Sequence, residues 1–193
     1  MGKKSRNIGA ALEVKLNFVH HRYRNMGRDV TRTPHPVKRL PYKVPGLRRG
    51  HYIACDEART GADYAATVAG WSVRFDAKAT QATRFALKRV QPHLAGHLDR
   101  CEENGGHAAL LIAFNQDAWW TPWSSLKPLY DRWSSGDFQR GQASLTAQDV
   151  SSLGVLVSNR WGAVDWWPIV ENLLELKRDI AAAEMRTRAC SEE

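Results

Sequence analysis

The chain has 193 residues, 43% of them hydrophobic and 25% charged, which is typical of one ordinary globular domain. No apolar run approaches the roughly 20 residues that span a bilayer, and no apolar segment follows the basic N-terminus as in a signal peptide. The three cysteines, Cys55, Cys101 and Cys190, are widely separated and lack zinc-ligand spacing. This usage favours a reducing cytoplasm over a disulfide framework.

The formal net charge of +8 is concentrated near the N-terminus. Residues 1–50 hold 13 Lys and Arg against two acids, Glu13 and Asp29, whereas the remaining residues hold 15 against 18. A basic segment joined to a nearly neutral body favours nucleic-acid binding. The alternatives are a merely solvated basic face, or an arm that contacts acidic partners.

The first predicted element is a helix over residues 8–24, where apolar side chains recur at steps of three and four. Four prolines exclude a helix through Val30–Gly50, which we expect to hold short edge strands and a projecting loop or hairpin. His20 and His21 could contact phosphate, although a solvated helix end is an equally good interpretation.

The middle of the chain predicts a hairpin, a helix and a central strand. Residues 62–68 and 71–78 alternate around a turn at Ala69-Gly70. Pro92 is placed to open a helix that Gly105-Gly106 would end. The continuous apolar run from His107 to Phe114 is typical of a strand covered on both faces.

All eight tryptophans except Trp71 lie between Trp119 and Trp167. We expect Trp119-Trp120 and Trp166-Trp167 to be core or dimer contacts rather than platforms for unpaired bases. A helix is predicted from Pro168 to about Asp179, with a flexible tail over 181–193. The order of elements predicts one α/β (α+β) domain over residues 1–180, with a mixed central sheet flanked by helices.

The chemically informative spacing is Asp63 followed, thirteen positions later, by Asp76-Ala77-Lys78. Residues two apart on a strand share a face, so Asp76 and Lys78 should project together while Ala77 points into the core. The hairpin could bring Asp63 near Asp76, where a hard divalent ion such as Mg²⁺ would relieve their repulsion. A solvated strand face with a weak ion pair is the ordinary alternative.

This pattern resembles the PD-(D/E)xK nuclease core and, within it, the RecU-type Holliday junction resolvases. The resemblance covers most of the chain and rests on short motifs in compatible order, with Asp76 in place of the commoner glutamate. The motifs are Asn7-x-Gly9 with Leu12-Glu13 and Asn17, Arg32-Thr33-Pro34-His35-Pro36-Val37, Ala62-Asp63-Tyr64, Phe75-Asp76-Ala77-Lys78-Ala79-Thr80, Phe85-Ala86-Leu87, His93-x3-His97-Leu98, Gly105-Gly106, Trp120-x-Pro122 and Val164-Asp165-Trp166.

The resemblance implies a restriction-endonuclease-like fold and a homodimer that cuts four-way DNA junctions with Mg²⁺, for which we expect Mn²⁺ to substitute. Asp63 and Asp76 would bind the metal, Lys78 would assist catalysis and Glu13 would support the site. A basic stalk is implied at about residues 38–61. The predicted DNA-binding residues are Arg32, Lys38, Arg39, Lys43, Arg48, Arg49 and Thr80.

Other readings stay open on sequence grounds. Leu94 stands where the family usually has a glutamine, which favours caution about activity. The chain could therefore be a catalytically impaired junction-binding recombination module, or a sequence-specific PD-(D/E)xK endonuclease. We expect a bacterial cytoplasmic location, for a gene of bacterial or phage origin, with no membrane partner and with a possible recombinase or branch-migration partner.

Overall fold

The structure is a computed structural model that describes residues 3–34, 37–39, 54–56, 61–137, 143–160 and 163–191. Five α-helices lie within these residues: α1 Lys3–Asn25, α2 Pro92–Glu103, α3 Trp123–Ser134, α4 Ala147–Leu153 and α5 Trp167–Ser191. The strands are β1 Val30–Arg32, β2 Val37–Arg39, β3 Ala54–Asp56, β4 Tyr64–Val68, β5 Trp71–Thr80, β6 Arg84–Ala86, β7 His107–Phe114, β8 Asp117–Pro122, β9 Ser144–Thr146, β10 Val155–Arg160 and β11 Ala163–Asp165.

A seven-stranded mixed sheet forms the centre of the described fold. Its order is β1-β4-β5-β7-β8-β10-β11, and β5 and β7 run parallel while the other neighbouring strands run antiparallel. The parallel pair is connected through α2, as a crossover requires. The predicted mixed sheet with flanking helices is therefore confirmed.

Each face of the sheet has its own hydrophobic core. Helices α1 and α5 cover one face, where Leu16, Phe75 and Trp166 are fully buried. Helices α2 and α3 cover the other face, where Leu98 and Leu110 are buried in a largely aliphatic cluster. The odd-numbered residues of β5 contact the core under α1 and α5: Val73, Phe75, Ala77 and Ala79. The even-numbered residues of β5 therefore point to the face that α2 and α3 cover.

Two indole-to-imidazole hydrogen bonds lie within the first core. Trp166 Nε1 donates to His20 Nε2 at 2.9 Å, and Trp120 Nε1 donates to His107 Nε2 at 3.1 Å. Burial lowers the pKa of His20 to about 3 and that of His107 to about 4, and nearby cations add to both shifts. The suggestion that His20 contacts phosphate was wrong, because its ring is a neutral hydrogen-bond acceptor inside the core.

The predicted hairpin, helix and central strand are all confirmed. Ala69 and Gly70 both adopt positive φ values, 50° and 85°, as a tight two-residue turn between twisted strands requires. Helix α2 begins with Pro92, and Gly105 follows its end with a φ of 76°. Every residue of β7 is buried.

The C-terminal expectation was wrong in one respect. Helix α5 does not end near Asp179 but continues to Ser191, and the side chains of residues 181–187 are exposed along it. Within the implied stalk, β2 and β3 pair antiparallel outside the main sheet, and most of the remaining stalk lies outside the described residues. Among the described helices, none combines the length and apolar character needed to cross a membrane.

Candidate active site

Strand β5 carries a buried carboxylate paired with a lysine. Asp76 is only 2% exposed, and Lys78 Nζ lies 2.6 Å from its Oδ2 atom. The lysine side chain is about a quarter exposed, so its ammonium group lies between the buried acid and solvent. Ala77, between them in sequence, packs on the opposite core. The alternation expected from the sequence therefore holds at this point of the strand.

The hairpin brings Asp63 to Asp76. The antiparallel register of β4 and β5 pairs Tyr64 with Phe75, so the next position along places Asp63 opposite Asp76. The Asp63 carboxyl lies close enough to that of Asp76 to raise its pKa. Thr33 N donates to Asp63 O at 2.8 Å, which anchors this end of the hairpin to the segment after β1. The predicted meeting of the two acids is confirmed.

The environment of this pair disfavours two negative charges. Burial raises the pKa of Asp76 above its ordinary value, Lys78 opposes that shift, and the neighbouring Asp63 carboxyl adds to it. Two acids this close share a proton or require a cation between them. A buried acidic pair with one lysine is thus arranged to receive additional positive charge.

The donor set fits a hard divalent cation. Asp76 Oδ2 is buried and accepts no hydrogen bond of normal geometry, although it is ion-paired with Lys78. Within the described ranges, no group of three or more His, Cys, Asp or Glu residues could hold a metal ion. Mg²⁺ commonly uses only one or two carboxylates and completes its shell with water and substrate phosphate oxygens. Asp63 and Asp76 therefore match the ligand chemistry of Mg²⁺ better than that of zinc.

Glu13 and Arg32 lie at the edge of this site and pair with each other. Arg32 Nη2 donates to Glu13 Oε2 at 3.0 Å, and both side chains are nearly half exposed. Both groups act on buried Tyr64, whose pKa is raised to about 12, mainly by burial, with Arg32 opposing and Glu13, Asp63 and Asp76 contributing to the rise. The supporting role of Glu13 and the DNA contact of Arg32 stay predictions, and their pairing links α1 to β1.

The remaining predicted DNA-binding residues differ in burial, and some of them lie outside the described residues. Thr80 is buried, and its Oγ1 accepts from Ala82 N at 3.1 Å. Lys38 is exposed on β2, and Arg39 is the last residue of that strand. Three further predicted contacts fall outside the described residues: Lys43, Arg48 and Arg49. DNA binding by all of these residues stays a prediction.

Comparison with known proteins decides the family. The model of the family described as "RecU: Recombination protein U" matches residues 7–172, a range that includes Glu13, Asp63, Asp76 and Lys78. The chain belongs to the RecU family. It is 26% identical over 189 residues to the Holliday junction resolvase RecU of Oenococcus oeni, with 90% of this chain and 92% of the relative covered.

A structural comparison gives a weaker likeness. The Holliday junction resolvase Hjc of the archaeal hyperthermophile Archaeoglobus fulgidus overlaps this RecU-family chain with a TM-score of 0.42 at 9% identity. The overlap covers 74% of this chain and 93% of Hjc. It is too limited to assign a shared fold.

Two further positions, Leu94 and Arg89, bear on the acidic pair. Leu94, where the sequence resemblance led us to expect a glutamine, is buried in the α2–α3 core at 3% exposure. Arg89 was missed in the sequence, yet it is half-buried within electrostatic range of Asp76. Its Nη2 donates to Ala79 O at 3.0 Å, and its guanidinium lies 5.3 Å from the centre of the Phe85 ring. Arg89 lies thirteen positions beyond Asp76, and no sequence motif with that spacing would have indicated that the two residues are close.

Proposed function

We propose that this chain is a Holliday junction resolvase that hydrolyses phosphodiester bonds of four-way DNA junctions with Mg²⁺. The observation that carries the proposal is the meeting of the Asp63 and Asp76 carboxyls with Lys78 Nζ at 2.6 Å from Asp76. Membership of the RecU family and the resolvase name of the Oenococcus oeni relative support it. The reaction is carried out in the bacterial cytoplasm, where recombination intermediates occur.

Each residue of the site has a separate task in this proposal. Asp63 and Asp76 hold the metal, which when bound supplies positive charge for the attacked phosphate and lowers the pKa of a bound water. Lys78 keeps its ammonium group beside Asp76 and neutralises charge that develops on the phosphate, or orients the attacking water. Arg89 adds a second cation near the carboxylate pair, held in place by its bond to Ala79 O.

Affinity for the junction comes from the basic N-terminal quarter of the chain. Its 13 Lys and Arg residues against two acids provide phosphate contacts that are independent of base sequence. Two copies of the chain, each with one site, cut opposed strands of the junction. The basic segment 38–61 contacts the open centre of the junction and so favours branched over linear DNA.

One observation favours a second candidate, a junction-binding module with impaired catalysis. Leu94 places an apolar side chain in the core at the position of the family glutamine, so that this chain supplies no amide there. The described part of the chain also offers only two acids to the proposed metal rather than three. The intact Asp63, Asp76 and Lys78 set favours the active enzyme.

A cleavage assay separates these functions. A labelled four-way junction and a linear duplex of the same sequence are incubated with wild type, Asp76→Asn and the control Asp117→Asn, in Mg²⁺, Mn²⁺ or EDTA. Asp117 is an exposed residue at the start of β8, so its substitution removes the same charge away from the site. We expect symmetric nicks in the junction alone from wild type and the control, and binding without cleavage from Asp76→Asn.

The other outcomes are equally informative. Binding without cleavage by wild type in both metals would support the impaired module. Cleavage of the linear duplex at one sequence would support a sequence-specific endonuclease. Unchanged cleavage by Asp76→Asn would remove the acidic pair from the reaction.

A further inference from the structure

An open cleft of about 250 Å³ with a basic lining lies between the start of β5 and α2, beside the acidic pair. Its lining includes two arginines, one histidine and one thiol, and no acidic residue. The residues are Ser72, Arg74, His97, Arg100, Cys101, Asn104 and Gly106. We call this feature the α2 cleft.

The guanidinium groups of the α2 cleft have no acidic partners among the residues that the structure describes. Neither Arg74 nor Arg100 forms an ion pair with a carboxylate within the described ranges of the chain. Arg74 Nη1 makes only a long contact, 3.5 Å, with the carbonyl oxygen of Val73. Both arginines lie close enough to His97 to lower its pKa, in addition to the effect of burial. Cationic groups that converge on open space without a counter-charge are suited to bind an anion.

The backbone around the α2 cleft is tightly fitted. A Cβ atom on Gly106 would lie 2.7 Å from Cys101 Sγ and 2.9 Å from Ser72 O, so a side chain there would close the floor of the cleft. A Cβ atom on Gly61 would collide with the His97 ring. Because Gly61 precedes Asp63 by two residues, this contact joins the cleft to the segment that carries the first acid of the site.

The spacing of Arg74 and Asp76 along β5 is comparable to the spacing of successive phosphates in a nucleic-acid strand. Arg74 and Asp76 are two residues apart on β5 and share a face, which separates their positions by about 6.6 Å. Successive phosphates of one DNA strand are separated by a similar distance. A strand with one phosphate at Asp76 and Lys78 would therefore present a neighbouring phosphate to Arg74.

We propose that the α2 cleft is a phosphate subsite in which Arg74, Arg100 and His97 hold the backbone phosphate next to the one that is cut. The inference rests on the proposed function, because it takes the ligand to be the DNA strand whose phosphate is cut at the Asp63–Asp76 site. The subsite fixes the register of the strand along β5. It reads no base, since its groups contact only phosphate.

Junction binding under non-cutting conditions tests the subsite directly. Arg74→Gln, Arg100→Gln and the double variant are compared with wild type in EDTA, over a series of salt concentrations. We expect the double variant to bind about tenfold more weakly and to have a slope of log K against log salt that is smaller by about 0.9. The control is Arg132→Gln, which removes one positive charge at the exposed end of α3, outside the cleft.

Cys101 gives a second measurement that does not depend on cleavage. Its half-buried thiol lines the cleft, and burial raises its pKa, so alkylation by iodoacetamide is slow enough to follow over time. Peptide mass spectrometry separates it from Cys55 and Cys190. We expect bound junction to slow alkylation of Cys101 in Asp76→Asn, and to slow it less when Arg74→Gln and Arg100→Gln are added. Saturating junction is used in both cases.

Three results would overturn the inference. Wild-type affinity and salt slope in the double variant, with Cys101 alkylated equally fast with and without DNA, would exclude the cleft from the DNA interface. Equal protection of Cys101 by sodium phosphate alone, at matched ionic strength, would indicate a small-anion site. Failure of wild type to bind any junction would overturn the proposed function together with the subsite.

Discussion

Strands β5 and β7 are hydrogen-bonded parallel neighbours, yet one of their two faces differs completely in chemistry. Towards α1 and α5 both strands are mainly apolar, with Phe75 paired beside Ala109. Towards α2, β5 presents Asp76 and Lys78 while β7 presents Leu110 and Ile112 at the same register positions. The boundary between core and candidate site therefore falls between two adjacent strands.

The difference shows how the site is held in place. Leu94 and Leu98 of α2 cover β7 in a cluster that includes no side chain of β5. The covered strand gives rigidity through packing, and its hydrogen bonds transfer that rigidity to the polar strand beside it. Asp76 is buried because β5 is a central strand of the sheet. Its side chain lies at the edge of the apolar cluster that covers β7, not inside that cluster.

The largest expected effect comes from making β7 resemble β5. Leu110→Asp would bury an acid with no partner in the aliphatic cluster, and we expect it to lower the free energy of unfolding by about 4 kcal/mol or more. The control Leu110→Met keeps the apolar volume and should cost less than about 1.5 kcal/mol. Urea denaturation measures both. Similar losses from the two substitutions would show that shape rather than polarity sets the boundary.

The next largest effect comes from making β5 resemble β7. Lys78→Met keeps the length of the side chain but removes the ammonium group 2.6 Å from Asp76. We expect the single-turnover cleavage rate to fall by about 10²- to 10³-fold, with junction affinity nearly unchanged. Lys88→Met, at an exposed position after β6, is the matched control. A loss of affinity as large as the loss of rate would make Lys78 a binding residue only.

A smaller effect is expected on stability when metal occupies the polar face. Mg²⁺ at 100 times its dissociation constant should raise the free energy of unfolding by about 2.7 kcal/mol if it binds only the folded state. Thermal unfolding with and without Mg²⁺ should show this increase in wild type and Asp117→Asn but not in Asp76→Asn. Equal stabilisation of all three proteins would locate the metal elsewhere.

The smallest effect concerns the second cation near Asp76. Arg89→Gln removes a positive charge that competes with a divalent ion for the carboxylate pair. We expect the Mg²⁺ concentration for half-maximal thermal stabilisation to fall by a few-fold, a change of less than about 1.4 kcal/mol in binding. Lys88→Gln makes the same change in net charge at an exposed position. An unchanged or higher Mg²⁺ requirement in Arg89→Gln alone would contradict this role.

Local patterns predicted β5, β7 and the hairpin well. The unbroken apolar run of β7 and the alternation around Ala69-Gly70 are sufficient to place the two acids together, because a tight turn fixes which residues lie opposite each other. The proline at the start of α2 and the glycines after it also act locally. Those features depend on neighbouring residues only.

The rest depends on contacts between distant parts of the chain. Arg89 approaches Asp76, and Arg100 approaches Arg74, only because α2 and the turn before it pack beside β5. His20 is buried by Trp166, 146 positions away. The extension of α5 was missed for another reason: the side chains of residues 181–187 are all exposed, and the high helix propensity of Ala181, Ala182 and Ala183 is sufficient to continue the helix.

The two-residue turn at Ala69 and Gly70 limits how this protein can change during evolution. Insertion or deletion of one residue there would move β5 by one position against β4, and every side chain of the strand would exchange faces. Asp76 and Lys78 would then enter the aromatic interior, and Phe75 would enter the acidic site. A change of one residue here would therefore disrupt folding and catalysis in a single step.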